Sequence, residues 1–251
     1  MFDTASRIVR AAEAKKIKLR LFGAIACWDF AAECRGLPGF YRARSLDIDF
    51  VSDCNSEENI TTAFSQSNFA KLRTDSFQGG FKLNFQSILP TTEEMTAHVY
   101  SGKLLRLNHP LKVNVSPFNG TISLNPTDLL LTKIAINQFT EKDRLDCAMV
   151  LHDLPIDSKT SKSINSEQLA MRCSNGWRAW GLFEDVRQNL ENVIAYARKK
   201  TDFSDEQRKK IVDQANLLVS KLQGFPKPFT WRIRAQFGRR LQWFDEVDDS
   251  E

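Results

Sequence analysis

Apolar positions follow two different rhythms along this chain. Up to about residue 153, short runs with a period of two are interleaved with stretches of helical period, whereas beyond residue 165 a spacing of three and four takes over. In the first part the pattern predicts a helix over 6–16, a strand over 17–22, a helix over 24–34, a strand reading Leu46-Asp47-Ile48-Asp49-Phe50 and a later strand over 111–115. Strands alternating with helices predict an α/β or α+β domain. In the middle, 72–75 and 81–85 alternate as strands around a Gln78-Gly79-Gly80 turn signal, and 59–68 fits a helix packing on the sheet. The stretch 157–167 is rich in Ser and Lys, lacks an apolar period and predicts a linker.

Past an Asn175-Gly176-Trp177 turn, Leu182, Phe183, Val186, Leu190, Val193, Ile194 and Ala197 form one apolar stripe, and Ile211, Ala215, Leu218, Val219 and Leu222 form another. Ser204 followed by Asp205, Glu206 and Gln207 is an N-cap with acids in the first turn. Two long helices packed as a hairpin follow. The organisation expected is a mixed domain over 1–155 and a helical C-terminal domain over 165–251.

Chemistry enters through the strand at Asp47. Alternation puts Asp47 and Asp49 on one face, roughly 6.5 Å apart along the strand, with Leu46, Ile48 and Phe50 on the other. Two carboxylates so placed suit a hard divalent cation, which takes oxygen ligands and completes its shell with water and substrate phosphates. The preceding strand ends in Phe22-Gly23-Ala24, where a glycine permits close approach of backbone to a polyphosphate and helix N–H groups attract its oxygens. Each feature has a plainer structural meaning: Gly23 as a tight turn, and the aspartates as the solvated face of an edge strand.

With Arg44 ahead of Asp47-x-Asp49, and with Asn125-Pro126-Thr127-Asp128-Leu129-Leu130-Leu131-Thr132-Lys133 followed by Glu141-Lys142-Asp143-Arg144-Leu145-Asp146, the first 150 or so residues resemble the nucleotidyltransferase superfamily, and within it the bacterial AbiEii-type toxin-like proteins. Gly23-Ala24 stands where that family has Gly-Gly or Gly-Ser. The resemblance implies a nucleotidyltransferase-like mixed sheet with flanking helices and transfer of a nucleotide from an NTP to an acceptor hydroxyl, with Mg²⁺ or Mn²⁺ as cofactor. It further implies Asp47 and Asp49 as metal ligands, a phosphate turn at Gly23 and Ala24, Arg44 on substrate, Lys133 on phosphate and Asp143 in the site. A tRNA end or other RNA as acceptor and a cognate antitoxin as partner belong to the same resemblance. Structural alternatives are a solvated helix lysine at 133 and a helix cap formed by Thr140 with Asp143.

One position departs from the family. The segment 110–115 looks like the strand that carries a third metal carboxylate, with Lys112 and Asn114 on its polar face and an amide where the charge belongs. An amide oxygen coordinates Mg²⁺ but is no base near neutral pH. Open alternatives are a two-carboxylate site helped by Asp143 or Asp146, a site with a weakened second cation, a site whose base was removed by substitution, and a catalytically degenerate module that binds nucleotide, RNA or protein without turnover.

Composition narrows the classes. The 251 residues carry a formal net charge of only +4, and no apolar run approaches the roughly 18 residues of a membrane span. Met1-Phe2-Asp3 opens on a polar segment without a signal-peptide core, so the cytoplasm is the expected compartment. Five cysteines without Cys-x-x-Cys spacing predict reduced thiols. His98, His109 and His152 show no ligand spacing, and 56–99 offers no identifiable catalytic group. Between residues 223 and 244 there is no acid, while Lys227, Arg232, Arg234, Arg239 and Arg240 alternate with Phe229, Trp231, Phe237, Trp243 and Phe244. Arginines on phosphates and aromatics under bases are the components of an RNA surface. Trp231, Ile233, Ala235 and Phe237 equally fit the core side of a strand.

Overall fold

The computed structural model describes residues 1–41, 47–77, 79–89, 95–102, 105–117, 120–157, 160 and 162–244. In chain order its elements are α1 (Phe2–Ala14), β1 (Leu19–Phe22), α2 (Gly23–Phe30), β2 (Asp47–Ser52), α3 (Glu57–Ser65), β3 (Phe69–Phe77), β4 (Gly80–Ser87), β5 (Thr96–Gly102), β6 (Leu105–Arg106), β7 (Pro110–Leu111), α4 (Pro126–Ile134), α5 (Glu141–Asp153), α6 (Ser166–Ser174), α7 (Ala179–Lys199), α8 (Asp205–Gly224) and α9 (Phe229–Phe237). They form two compact units. One gathers Met1–Asp29, Ala43–Arg106 and Pro110–Leu129; the other gathers Phe30–Arg42, Leu107–His109 and Leu130–Glu251.

The first unit is a mixed α/β layer. Its sheet runs β1-β2-β5-β4-β3, with β2 and β5 parallel and the other neighbours antiparallel. Parallel partners need a long crossover, which α3 and the β3–β4 hairpin supply. On one face Ile48, Phe50, Leu83, Phe85, Ala97 and Val99 are buried. The apolar stripe of α3 (Ile60, Ala63, Phe64) packs on this face, and that of α1 (Ala5, Ile8, Val9, Ala12) packs against α3 and β1. Phe64 is the centre of this core, stacked on Phe85 at 4.1 Å and edge-on to Phe50 at 5.7 Å and Phe69 at 6.1 Å. The opposite face carries the polar alternates of the same strands.

The second unit is helical. α7 and α8 pack along the two predicted stripes, and Ser204 with Gln207 closes a capping box at the start of α8. Among the described residues no helix is long and apolar enough to cross a membrane.

Several expectations are corrected. α1 starts four residues early, at Phe2, and α2 stops at Phe30 rather than 34. The strands expected at 72–75 and 81–85 are longer, spanning β3 and β4. The strand expected over 111–115 ends at Leu111, in a two-residue pairing with β6. Side chains take over the backbone donors beyond it: Asn114 N–H donates to Asp128 Oδ2 at 2.9 Å, and Asn114 Oδ1 accepts from Ser116 N–H at 3.0 Å. Such local bonds compete with a ladder. The strand-like alternation at 231–237 is the helix α9, whose inner face is Trp231 and Arg234, three residues apart.

Candidate functional site

Phe22, the last residue of β1, pairs across the antiparallel ladder with Asp49. The chain then turns at Gly23, with φ +72°, and enters α2. A Cβ at this position would stand 2.5 Å from Asp49 Oδ2. Glycine is therefore required twice, by a left-handed backbone and by a carboxylate seated against it. Buried Ala24 follows in the first turn of α2, whose leading N–H groups are an anion-binding end.

Asp47 and Asp49 share the polar face of β2, the first exposed and the second half-buried. In the parallel register Asp47 faces Thr96 and Asp49 faces His98. Thr96 Oγ1 donates to Asp47 Oδ1. His98 Nδ1 lies 2.8 Å from Asn84 Oδ1, and Asn84 Nδ2 donates to Asp75 Oδ2 at 2.8 Å. Burial, with Lys82 nearby, holds the His98 imidazole below its usual range and keeps it neutral near pH 7. One turn of the pleat further on, Tyr100 meets Phe22 edge-on at 5.6 Å and lies under Lys82 at 5.2 Å. Sequence inspection passed over Asp75, Asn84, Thr96 and His98, because their place beside the aspartates depends on long-range strand register. Asp75 and Asn84 lie in the alternating stretches 72–75 and 81–85, and for Thr96 and His98 the signal is the alternation Thr96-Ala97-His98-Val99-Tyr100.

The donor set fits a divalent cation: two carboxylates on one face, one of them in a cradle that any side chain at position 23 would fill. Asp47, Asp49 and His98 are not within 4.8 Å of one another. Among the described residues that closeness belongs to Cys34, His152 and Asp153 in the helical unit. There Asp153 accepts from the backbone N–H of Glu33 at 2.6 Å and of Cys34 at 3.2 Å, and pairs with His152 Nδ1 at 2.6 Å. Burial first, and Asp153 second, push the Cys34 thiol far up. A protonated thiol and a carboxylate already occupied by three donors make a structural joint, not a metal centre.

The remaining sequence candidates are placed as follows. Arg44 lies outside the described residues. Lys112 and Asn114 are exposed and lie beyond β7, with Asn114 engaged in the local bonds given above. Lys133, near the end of α4, has its Nζ 2.8 Å from Asp146 Oδ2 and 3.3 Å from Asp143 Oδ1. Asp146 is fully buried. Asp143 also closes the capping box of α5, its Oδ2 accepting from Thr140 N–H at 3.1 Å and Oγ1 at 2.6 Å. Gly23, Ala24, Asp47 and Asp49 thus come together in the sheet unit, and Lys133, Asp143 and Asp146 in the helical one.

The basic C-terminal segment is split by its helix. Trp231 packs edge-on to Phe183 at 5.2 Å and donates Nε1–H to the Cys173 carbonyl. Arg234 is buried over the Trp180 ring at 4.4 Å and donates to the Gly238 and Leu241 carbonyls at 2.7 and 3.0 Å. It is a core cation with no phosphate to reach. Phe229, Arg232, Phe237, Arg239 and Arg240 remain exposed.

No known protein family matches the chain, and no curated protein matches it. Among solved structures it is similar to the antibiotic-resistance factor ANT(2'')-Ia, at 12% identity over 95% of this chain and 91% of that one, with a TM-score of 0.34. It is also similar to MenT4, a nucleotidyltransferase toxin from Mycobacterium tuberculosis H37Rv, at 11% identity over 94% of this chain and 90% of that one, with a TM-score of 0.39. Superpositions this loose leave function to the chain's own residues.

Proposed function

We propose that this chain is a nucleotidyltransferase that uses Mg²⁺ or Mn²⁺ to move a nucleotide from an NTP to an acceptor hydroxyl on RNA, the α–β phosphoanhydride bond breaking and pyrophosphate leaving as the new phosphodiester forms. The observation that carries the proposal is the contact of Asp49 with the side-chain-free Gly23 at the mouth of α2. It sets an acidic pair beside a helix N-terminus, the combination that a cation-loaded triphosphate requires.

In this reading Asp47 and Asp49 hold the cation on the polar face of β2. When bound, the cation neutralises phosphate charge and withdraws electrons from the phosphorus under attack. The α2 N–H groups hold the triphosphate oxygens, and Gly23 keeps that backbone accessible. The exposed arginines and phenylalanines at 229–240 supply the kind of surface that single-stranded RNA takes.

The test incubates the purified chain with each NTP labelled on its α-phosphate, Mg²⁺ or Mn²⁺, and total cellular RNA. Label transferred to RNA by the native protein and absent with Asp49→Ala supports the proposal. Nucleotide bound without transfer to any acceptor overturns it and favours the catalytically degenerate module.

A further inference from the structure

His98 stands directly opposite Asp49 across the parallel β2–β5 ladder, with Asn84 opposite it on the other side. These three residues form a row over adjacent strands on the polar face. The row fixes the imidazole tautomer. Asn84 gives its Nδ2–H to the Asp75 carboxylate, which can only accept, so the amide presents its oxygen to His98. An amide oxygen cannot donate, so Nδ1 of the neutral ring carries the hydrogen and Nε2 keeps a lone pair. Nδ1 is anchored toward β4. Nε2 is then the ring atom with a lone pair to offer, on a residue whose neighbour across the β2–β5 ladder is Asp49.

A ring nitrogen tied through its N–H to a polar relay ending in a carboxylate is how proteins orient a metal-binding histidine. Asn84, which makes both bonds, is buried, while Asp75 is half-exposed and also meets Arg73 Nε at 3.5 Å. We infer that His98 Nε2 is a third ligand to the divalent cation held by Asp47 and Asp49, and that this nitrogen shifts the site's preference from Mg²⁺ toward Mn²⁺. The inference rests on the assignment of Asp47 and Asp49 as cation ligands. Mg²⁺ is hard and keeps oxygen ligands, whereas the later divalent ions accept imidazole more readily. As the chain stands, the three donors are not within 4.8 Å of one another and Thr96 donates to Asp47, so one ion would draw the three side chains together.

The experiment is Mn²⁺ titration of the full chain followed by electron paramagnetic resonance, with pulsed measurement of nitrogen coupling to the bound ion. The native protein is expected to show one directly bound imidazole nitrogen, requiring no variant to fold. His98→Gln is expected to lose that coupling and to weaken Mn²⁺ by about tenfold or more, with Mg²⁺ binding less affected. Asn84→Ala should retain the histidine but weaken Mn²⁺ by about 10–100-fold through loss of ring orientation. Bound Mn²⁺ without nitrogen coupling, in a protein where Asp49→Asn abolishes binding, overturns the role of His98 and leaves the acidic site standing. Mn²⁺ binding that is indifferent to Asp49→Asn overturns the acidic site and the role of His98 together.

Discussion

A methyl group at position 23 would meet two obstacles at once. The backbone there has φ +72°, which disfavours an L side chain by about 1–2 kcal/mol, and the new Cβ would press on Asp49 Oδ2 at 2.5 Å. Gly120 is a natural comparison, since φ is +73° and nothing lies within 4 Å of its virtual Cβ. Denaturant unfolding of Gly23→Ala and Gly120→Ala should therefore show a larger loss for the first, and Mn²⁺ titration should show weakened binding only for the first. Equal losses with intact binding would remove the carboxylate cradle from consideration. Lys133 presents the opposite case, a cation whose absence would be felt by its partners. With Asp146 fully buried and 2.8 Å from Nζ, Lys133→Met leaves a carboxylate in the interior without its ammonium. Removing one member of such a pair costs about 3–5 kcal/mol. Lys133→Met combined with Asp146→Asn should recover a large part of that loss in thermal unfolding, and a double variant no better than the single one would contradict the pairing.

At the scale of elements, the last residue of α5 ties a distant stretch of backbone to that helix. Asp153 accepts from the N–H groups of Glu33 and Cys34 and from His152. Burial opposes its charge, but these hydrogen bonds outweigh burial and bring its carboxyl below the usual range. A depressed carboxyl contributes stability that is fully present above the unfolded value, about pH 4, and is lost as pH falls through the folded value. Unfolding free energy measured from neutral to strongly acidic pH should thus fall more steeply for the native chain than for Asp153→Asn; parallel curves would show that this joint carries no linkage. Local signals foretold some elements well. The stripes of α7 and α8, the Ser204 cap and the Thr140–Asp143 box all depend on residues within a few positions of one another. The alternation of Asp47 with Ile48 and Asp49 is equally local, so their common face was legible. By contrast, α9 alternates in hydrophobicity like a strand, and only the burial of Trp231 and Arg234 against other helices selects the helical period. At 112–115, Asp128 captures the backbone donor of Asn114 from 14 residues away, a competition invisible to a sliding window.

Over the whole molecule, what stayed illegible is what long-range pairing decides. The parallel partner of β2 lies almost 50 positions along, at 96–101, so neither Thr96 nor His98 could be matched to an aspartate before the register was known. Charge is distributed just as unevenly. A net of +4 over 251 residues is small, yet residues 223–244 contain no carboxylate side chain and expose Arg232, Arg239 and Arg240 beside Phe229 and Phe237. Arg234, in the midst of them, is buried on Trp180 and bound to backbone carbonyls. The same chemical change at these positions should therefore have different consequences. For single-stranded RNA each phosphate contact contributes about −0.7 to the slope of log affinity against log salt. Replacing Arg232, Arg239 and Arg240 together by Gln should make that slope shallower by about 2, with little change in melting temperature. Arg234→Gln should lower the melting temperature and leave the slope of the folded protein nearly unchanged. A fluorescence titration with a short unstructured RNA at several salt concentrations separates the two effects. A slope unaltered by the triple substitution would show that RNA, if it binds, does so elsewhere on the chain, and that the exposed basic surface of 229–240 serves another end.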